Sequence, residues 1–193
     1  MKGGLFLPQF TRNAIIESFI RLATRNPLEK ITVKDIVDAC GVNRNTFYYY
    51  FQDMYALVED LFHAGPAASD PGKVADTWTE GFVRLARFTQ LYPRAVRNIY
   101  TSVGYDVFEG YVDDVIGEPI FAALKRESEK MGCPDIDLNL PALFYRQALM
   151  GIYSLWLRHD MKDDPERMAL QLMEVHEGTM QMTLSNCWKT VKR

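Results

Sequence analysis

The chain has 193 residues, 48% hydrophobic and 24% charged, so it can bury a real core and is neither disordered nor of low complexity. Three widely spaced cysteines, Cys40, Cys133 and Cys187, include no C-x-x-C pair and argue against a disulfide framework or a cysteine zinc site. The net charge of −3 gives no sign of a nucleic-acid binder, yet residues 1–45 hold seven Lys or Arg against four acids, a basic head on an acidic body that suits local DNA contact.

No apolar run reaches the ~18 residues of a membrane span. The start, MKGGLFLPQF, is too short for a signal peptide, so a cytoplasmic protein without membrane contact is expected.

In chain order the pattern is helical almost throughout. Thr11 is the expected N-cap of a first helix carrying Ile15, Ile16, Phe19, Ile20 and Ala23, ended by Pro27. Thr32 and Asp35 have capping-box spacing, Val33, Ile36, Val37 and Cys40 form a two-turn stripe, and Gly41 closes it. Asn43 caps a third short helix with Phe47 and Phe51, and Asp53 a fourth with Leu57, Val58, Leu61 and Phe62.

Residues 64–72, AGPAASDPG, read as a linker, dividing a domain over 1–63 from one over 73–193. Beyond it, helices are expected over 73–91, from 94 to about 102, and over 105–131 with an interruption at Gly117-Glu118-Pro119. Two more follow: 139–161, and 165–190 opened by Asp164-Pro165. The fold class is all-α. The last two helices carry apolar residues on more than one side, including Phe144, Ala148, Ile152 and Leu155, with Gly151 permitting close approach. A homodimer packed through them is expected.

Residues 32–51 read TVKDIVDACGVNRNTFYYYF, a helix, a tight turn and a second helix. Phe47 and Phe51, four apart, take the inner face and force Arg44, Asn45, Tyr48 and Tyr49 outward. A helix-turn-helix presents such a face to a major groove about 12 Å wide. There Arg44 can pair with guanine or phosphate, Asn45 can read an adenine edge, and the tyrosines offer hydroxyls and ring edges. The amide at Thr32 can hold a phosphate at a helix N-terminus.

The stretch ITVKDIVDACGVNRNTFYYYFQDMYALVEDLF resembles the DNA-binding head of TetR-type transcriptional regulators. Thr32, Val33, Ile36, Gly41, Val42, Thr46, Tyr48, Tyr50, Phe51, Asp53 and Leu57 stand in register with that family's pattern over about residues 8–63. The segment around FYYYF is also similar to regulators of dihydroxyacetone kinase operons. The resemblance implies a ligand-responsive repressor bound as a homodimer to a palindromic double-stranded operator. The expected DNA contacts are Thr32, Lys34, Arg44, Asn45, Thr46, Tyr48, Tyr49 and Tyr50. Two positions depart from the family: Met54 stands where it usually has a phosphate-contacting Lys, and Asn45 where it often has Gly. They leave open the alternative of a coactivator or adaptor that works through a protein partner.

A small-molecule effector is expected in the body, where aromatic residues crowd 78–121. Trp78, Tyr105, Phe108, Tyr145 and Arg146 are the candidate ligand contacts, Arg146 as a charge needing an acidic partner or an anionic ligand. No cofactor, metal or enzymatic activity is expected. His63, His159 and His176 lack ligand partners at helical spacing, and neither G-x-S-x-G nor a Gly-rich phosphate loop occurs.

Overall fold

The computed structural model describes residues 6–64, 77–133, 135–176 and 178–191. All regular structure among them is helical: α1 (Phe6–Ala23), a 3-10 turn (Leu28–Lys30), α2 (Val33–Cys40), α3 (Arg44–Tyr50), α4 (Met54–Ala64), α5 (Trp78–Leu91), α6 (Pro93–Lys130), α7 (Asn139–Arg158), α8 (Pro165–His176) and α9 (Thr179–Val191). The expected linker lies largely outside the described residues.

The chain folds into two compact units. One takes Met1–Lys73 with Phe88–Tyr111, the other Val74–Arg87 with Val112–Arg193.

The first unit is built on Ile15, Phe19, Ile36, Phe47, Leu57 and Leu61, all essentially inaccessible to solvent. Burying each such side chain contributes about 1.5–3 kcal/mol. Arg12 on α1 pairs with Asp60 on α4 at 2.5 Å. The first part of α6 belongs to this unit. Asn98 Nδ2 donates to the Ala23 carbonyl at 2.7 Å, satisfying a group at the end of α1. Ser102 accepts from the Leu28 amide at 3.0 Å and donates to Glu29 at 2.9 Å. Phe62 meets Phe88 and Phe108 edge to face, with centroids 5.7 and 5.2 Å apart. Thus 88–111, read in the sequence as part of the body, packs with the head.

The second unit buries Phe82, Ile116, Ile120, Leu124, Leu149, Met150 and Tyr153. Trp156 Nε1 donates to the Asp163 carbonyl at 3.0 Å, tying the end of α7 to the turn that opens α8. Arg87 and Glu166 form an ion pair between α5 and α8.

Several boundaries correct the sequence reading. Helix α1 begins at Phe6, so Thr11 lies inside it and is not the cap. Pro8 falls in the first turn, where an N–H has no intrahelical partner to lose. Helix α6 runs unbroken from Pro93 to Lys130 with Pro119 inside. An interior proline costs about 3 kcal/mol, and burial of Val115, Ile116, Ile120 and Leu124 on both sides exceeds that. Gly117 does not break the helix either. A Cβ there would collide with the Asp113 carboxylate one turn earlier on α6 and come within 3.3 Å of Arg146 Cδ on α7, so the glycine leaves space for the Asp113 side chain. The stretch expected as one helix over 165–190 is two, with Gly178 between them at φ +75°. Helix α7 stops at Arg158, ahead of Asp160 and Met161 at φ 62° and 55°.

Candidate nucleic-acid interface

The recognition element is assembled from local signals that the chain obeys closely. Thr32 and Asp35 form a full capping box at the start of α2. Gly41 ends α2 at φ 73°, a conformation that favours glycine. Asn43 caps α3, its side-chain Oδ1 accepting from the Thr46 amide at 2.8 Å. Asp53 caps α4 by accepting from the Ala56 amide at 2.8 Å.

These turns fix which way α3 faces. Phe47 and Phe51 are buried, with ring centroids 5.7 Å apart. Tyr48 is 54% and Tyr49 78% exposed. Arg44 and Asn45 are exposed beside them, and Tyr50 is half-buried with its ring edge-on to Tyr49 at 4.9 Å. Tyr48 packs edge to face on Phe47 at 5.5 Å, so its exposed ring is steadied from within. The outcome is a two-turn helix showing a guanidinium, a carboxamide and two phenols on its outer face.

Two of the expected contacts are already engaged inside the protein. The Thr46 hydroxyl donates to Asn43 Oδ1 at 3.1 Å, reinforcing the cap. The Thr32 amide and hydroxyl donate to Asp35 Oδ2 at 2.9 and 2.6 Å. The Thr32 amide is thus engaged by its own helix in the chain alone. The next donors along α2 are the amides of Val33 and Lys34, which in a first turn have no intrahelical acceptor. Lys34 is exposed there. Hydrogen bonds from the Thr32 hydroxyl, then from its amide, hold the Asp35 carboxyl below its ordinary 3.8, so it stays anionic at neutral pH.

The candidate ligand contacts are divided between the two units. Phe108 belongs to the first unit, fully buried against Phe62 and Tyr100. The side chain of Tyr105 lies outside the described residues. The other three belong to the second unit. Trp78 and Tyr145 flank the His176 ring at 5.0 and 5.1 Å, and the Tyr145 hydroxyl lies 3.0 Å from that of Thr183. Arg146 has the acidic partner it required: Asp113 Oδ1 at 2.8 Å. Among the described residues, no group of three or more His, Cys, Asp or Glu could hold a metal ion.

The sequence picks out the line of Phe144, Ala148 and Leu155 on α7 without deciding that it faces outward. Leu140, Phe144 and Leu155 are exposed there, with Ala148 and Gly151 between them, so that successive members of the line are three or four residues apart. Tyr145, Leu149, Tyr153 and Trp156 take the buried side. The spacing of Leu140, Phe144, Ala148, Gly151 and Leu155 was the available signal, obscured because the inner line is just as apolar.

A buried pair of phenylalanines behind an outward guanidinium and phenols, held after a glycine turn, is the head of a helix-turn-helix transcriptional regulator. Comparison with known families agrees. Residues 15–61 match the model described as bacterial regulatory proteins, tetR family, and residues 76–178 match that of a transcriptional regulator C-terminal region. The chain belongs to the TetR family and is a DNA-binding transcriptional regulator. No curated protein matches it. No helix among the described residues is long and apolar enough to cross a membrane.

Proposed function

We propose that this regulator is a cytoplasmic, ligand-responsive repressor that binds a palindromic operator as a homodimer. The observation that carries the DNA reading is the outer face of α3, where Arg44, Asn45, Tyr48 and Tyr49 stand exposed behind buried Phe47 and Phe51. On this reading Arg44 and Asn45 meet base edges, while Lys34, Tyr48 and Tyr50 hold the phosphate backbone. Thr32 and Thr46 shape the two helix starts.

The dimer reading rests on the apolar outer face of α7 and on the exposed Leu170 and Met173 of α8. Ala148 and Gly151 in the middle of that face suit close helix approach, and nothing lies within 4 Å of the Cβ position of Gly151. A second copy covers it most simply, because a two-fold pair satisfies both faces at once. Two recognition helices then sit about 34–36 Å apart, one turn of DNA, which requires a palindrome.

The test is a mobility shift of the full chain on duplex from upstream of its own gene, with the complex stoichiometry measured. Two chains on one near-palindromic site is the expected outcome. The adaptor reading is favoured by Met54 at the start of α4 and by the Asp35 carboxylate at the start of α2, which adds negative charge beside a DNA-facing turn. A folded chain that shifts no upstream duplex at low salt would select it.

A further inference from the structure

The second unit contains a cleft that neither the dimer face nor the recognition helix uses. It has a volume of about 290 Å³ and lies between α6 and α7. That is the low end of small-molecule sites, the size for a compact ligand. Asp113, Glu118 and Phe121 line it from α6, and Asn139, Leu143 and Arg146 from α7. Gly117 borders it as well, and larger residues at that position would collide with Asp113.

The charges in the cleft do not cancel. Arg146 and Asp113 neutralise each other at 2.8 Å. Glu118 is exposed and has no ion-pair partner among the described residues. The surplus is one negative charge. The same cleft has apolar walls: Phe121 and Leu143 are large side chains left 39% and 42% exposed.

We propose that this cleft binds a compact organic cation, an ammonium group carrying an apolar arm. The ammonium pairs with Glu118 and lies against the Phe121 ring, whose face attracts cations. The arm covers Phe121 and Leu143, and the Asn139 amide offers a hydrogen bond. An anion is disfavoured, since it would have to share Arg146 with Asp113 and face the carboxylate of Glu118. The inference rests on the reading of the second unit as a ligand sensor and names the ligand class for it.

The test is isothermal titration of the full chain with phenethylammonium, 2-phenylethanol and phenylacetate, which share an aromatic arm and differ in charge. Saturable binding of phenethylammonium is expected, with the alcohol weaker by about tenfold or more, the scale of one charge-assisted contact, and no heat from phenylacetate. Glu118→Gln, an exposed change whose fold is checked by circular dichroism, should weaken the cation by a similar factor and leave the alcohol unchanged. Absence of phenethylammonium binding up to millimolar concentration would overturn the proposal. So would equal binding of the alcohol, tighter binding of phenylacetate, or unchanged cation affinity in Glu118→Gln. Operator binding measured without any of these compounds tests the DNA reading separately, so the two failures are distinguishable.

Discussion

The outer face of α3 and the outer face of α7 both leave large side chains in water, but they offer different chemistry. On α3 the exposed groups are Tyr48, Tyr49, Arg44 and Asn45, each with a polar tip. On α7 they are Leu140, Phe144 and Leu155, with no polar atom among their side chains. The first face loses little by standing in water and gains when it meets phosphates and base edges. The second is favourable only when covered by another apolar surface. Exposure by itself does not distinguish a nucleic-acid surface from a protein one. The tips of the side chains do.

The comparison can be broken first at the core that orients α3. Phe47→Ala should cost about 3–5 kcal/mol of stability, because it empties a fully buried aromatic site. Urea denaturation reads this as a lower midpoint, with DNA binding lost as a consequence. A loss below 1 kcal/mol would mean that Phe47 does not set the direction of the outer face.

On α7, Phe144→Glu places a carboxylate in the middle of the proposed subunit contact. It should weaken pairing by at least about 2 kcal/mol, the scale of a hot-spot residue. Since the side chain is exposed in the single chain, the fold should survive. Sedimentation should show a monomer where the unmodified chain is a dimer. An unchanged dimer would place the contact elsewhere.

The α3 face can be sharpened by two substitutions of different kinds. Arg44→Ala should cost roughly 1–3 kcal/mol of operator affinity and relax one base position. Lys34→Ala should weaken all sequences alike and lower the salt slope by about one. Fluorescence anisotropy at several salt concentrations separates them, and identical behaviour would abolish the division between base and backbone contacts.

The smallest effect concerns the capping box. Asp35 has a folded value below its ordinary 3.8. Its ionised form therefore stabilises the fold fully above that value, and the contribution is lost as pH falls through the lower folded one. The stability gap between the unmodified chain and Asp35→Asn should be constant near neutrality and shrink below pH 3.8. A gap that does not shrink there would show that the box works without the charge.

Much of the recognition element was legible because its determinants are local. Thr32, Gly41, Asn43 and Asp53 act within three or four residues of themselves, and each does in the structure what its type and spacing imply. The face of α3 followed from Phe47 and Phe51 alone. What failed was decided at long range. Pro119 reads as a break until the burial on both sides of it is known. The pairing of Arg146 with Asp113 joins positions 33 apart, beyond the reach of any local signal. The sorting of α7 into inner and outer lines depended on the same missing information, since both lines are apolar.

The most direct measurement is hydroxyl-radical footprinting of the full chain, read residue by residue by mass spectrometry, with and without operator duplex and across protein concentrations. The two faces should separate. Tyr48 and Tyr49 should lose reactivity when DNA is added, while Leu140, Phe144 and Leu155 lose it as concentration rises, whether DNA is present or not. Tyr48 and Tyr49 equally reactive in free and DNA-bound protein would contradict the assignment of the α3 face to DNA.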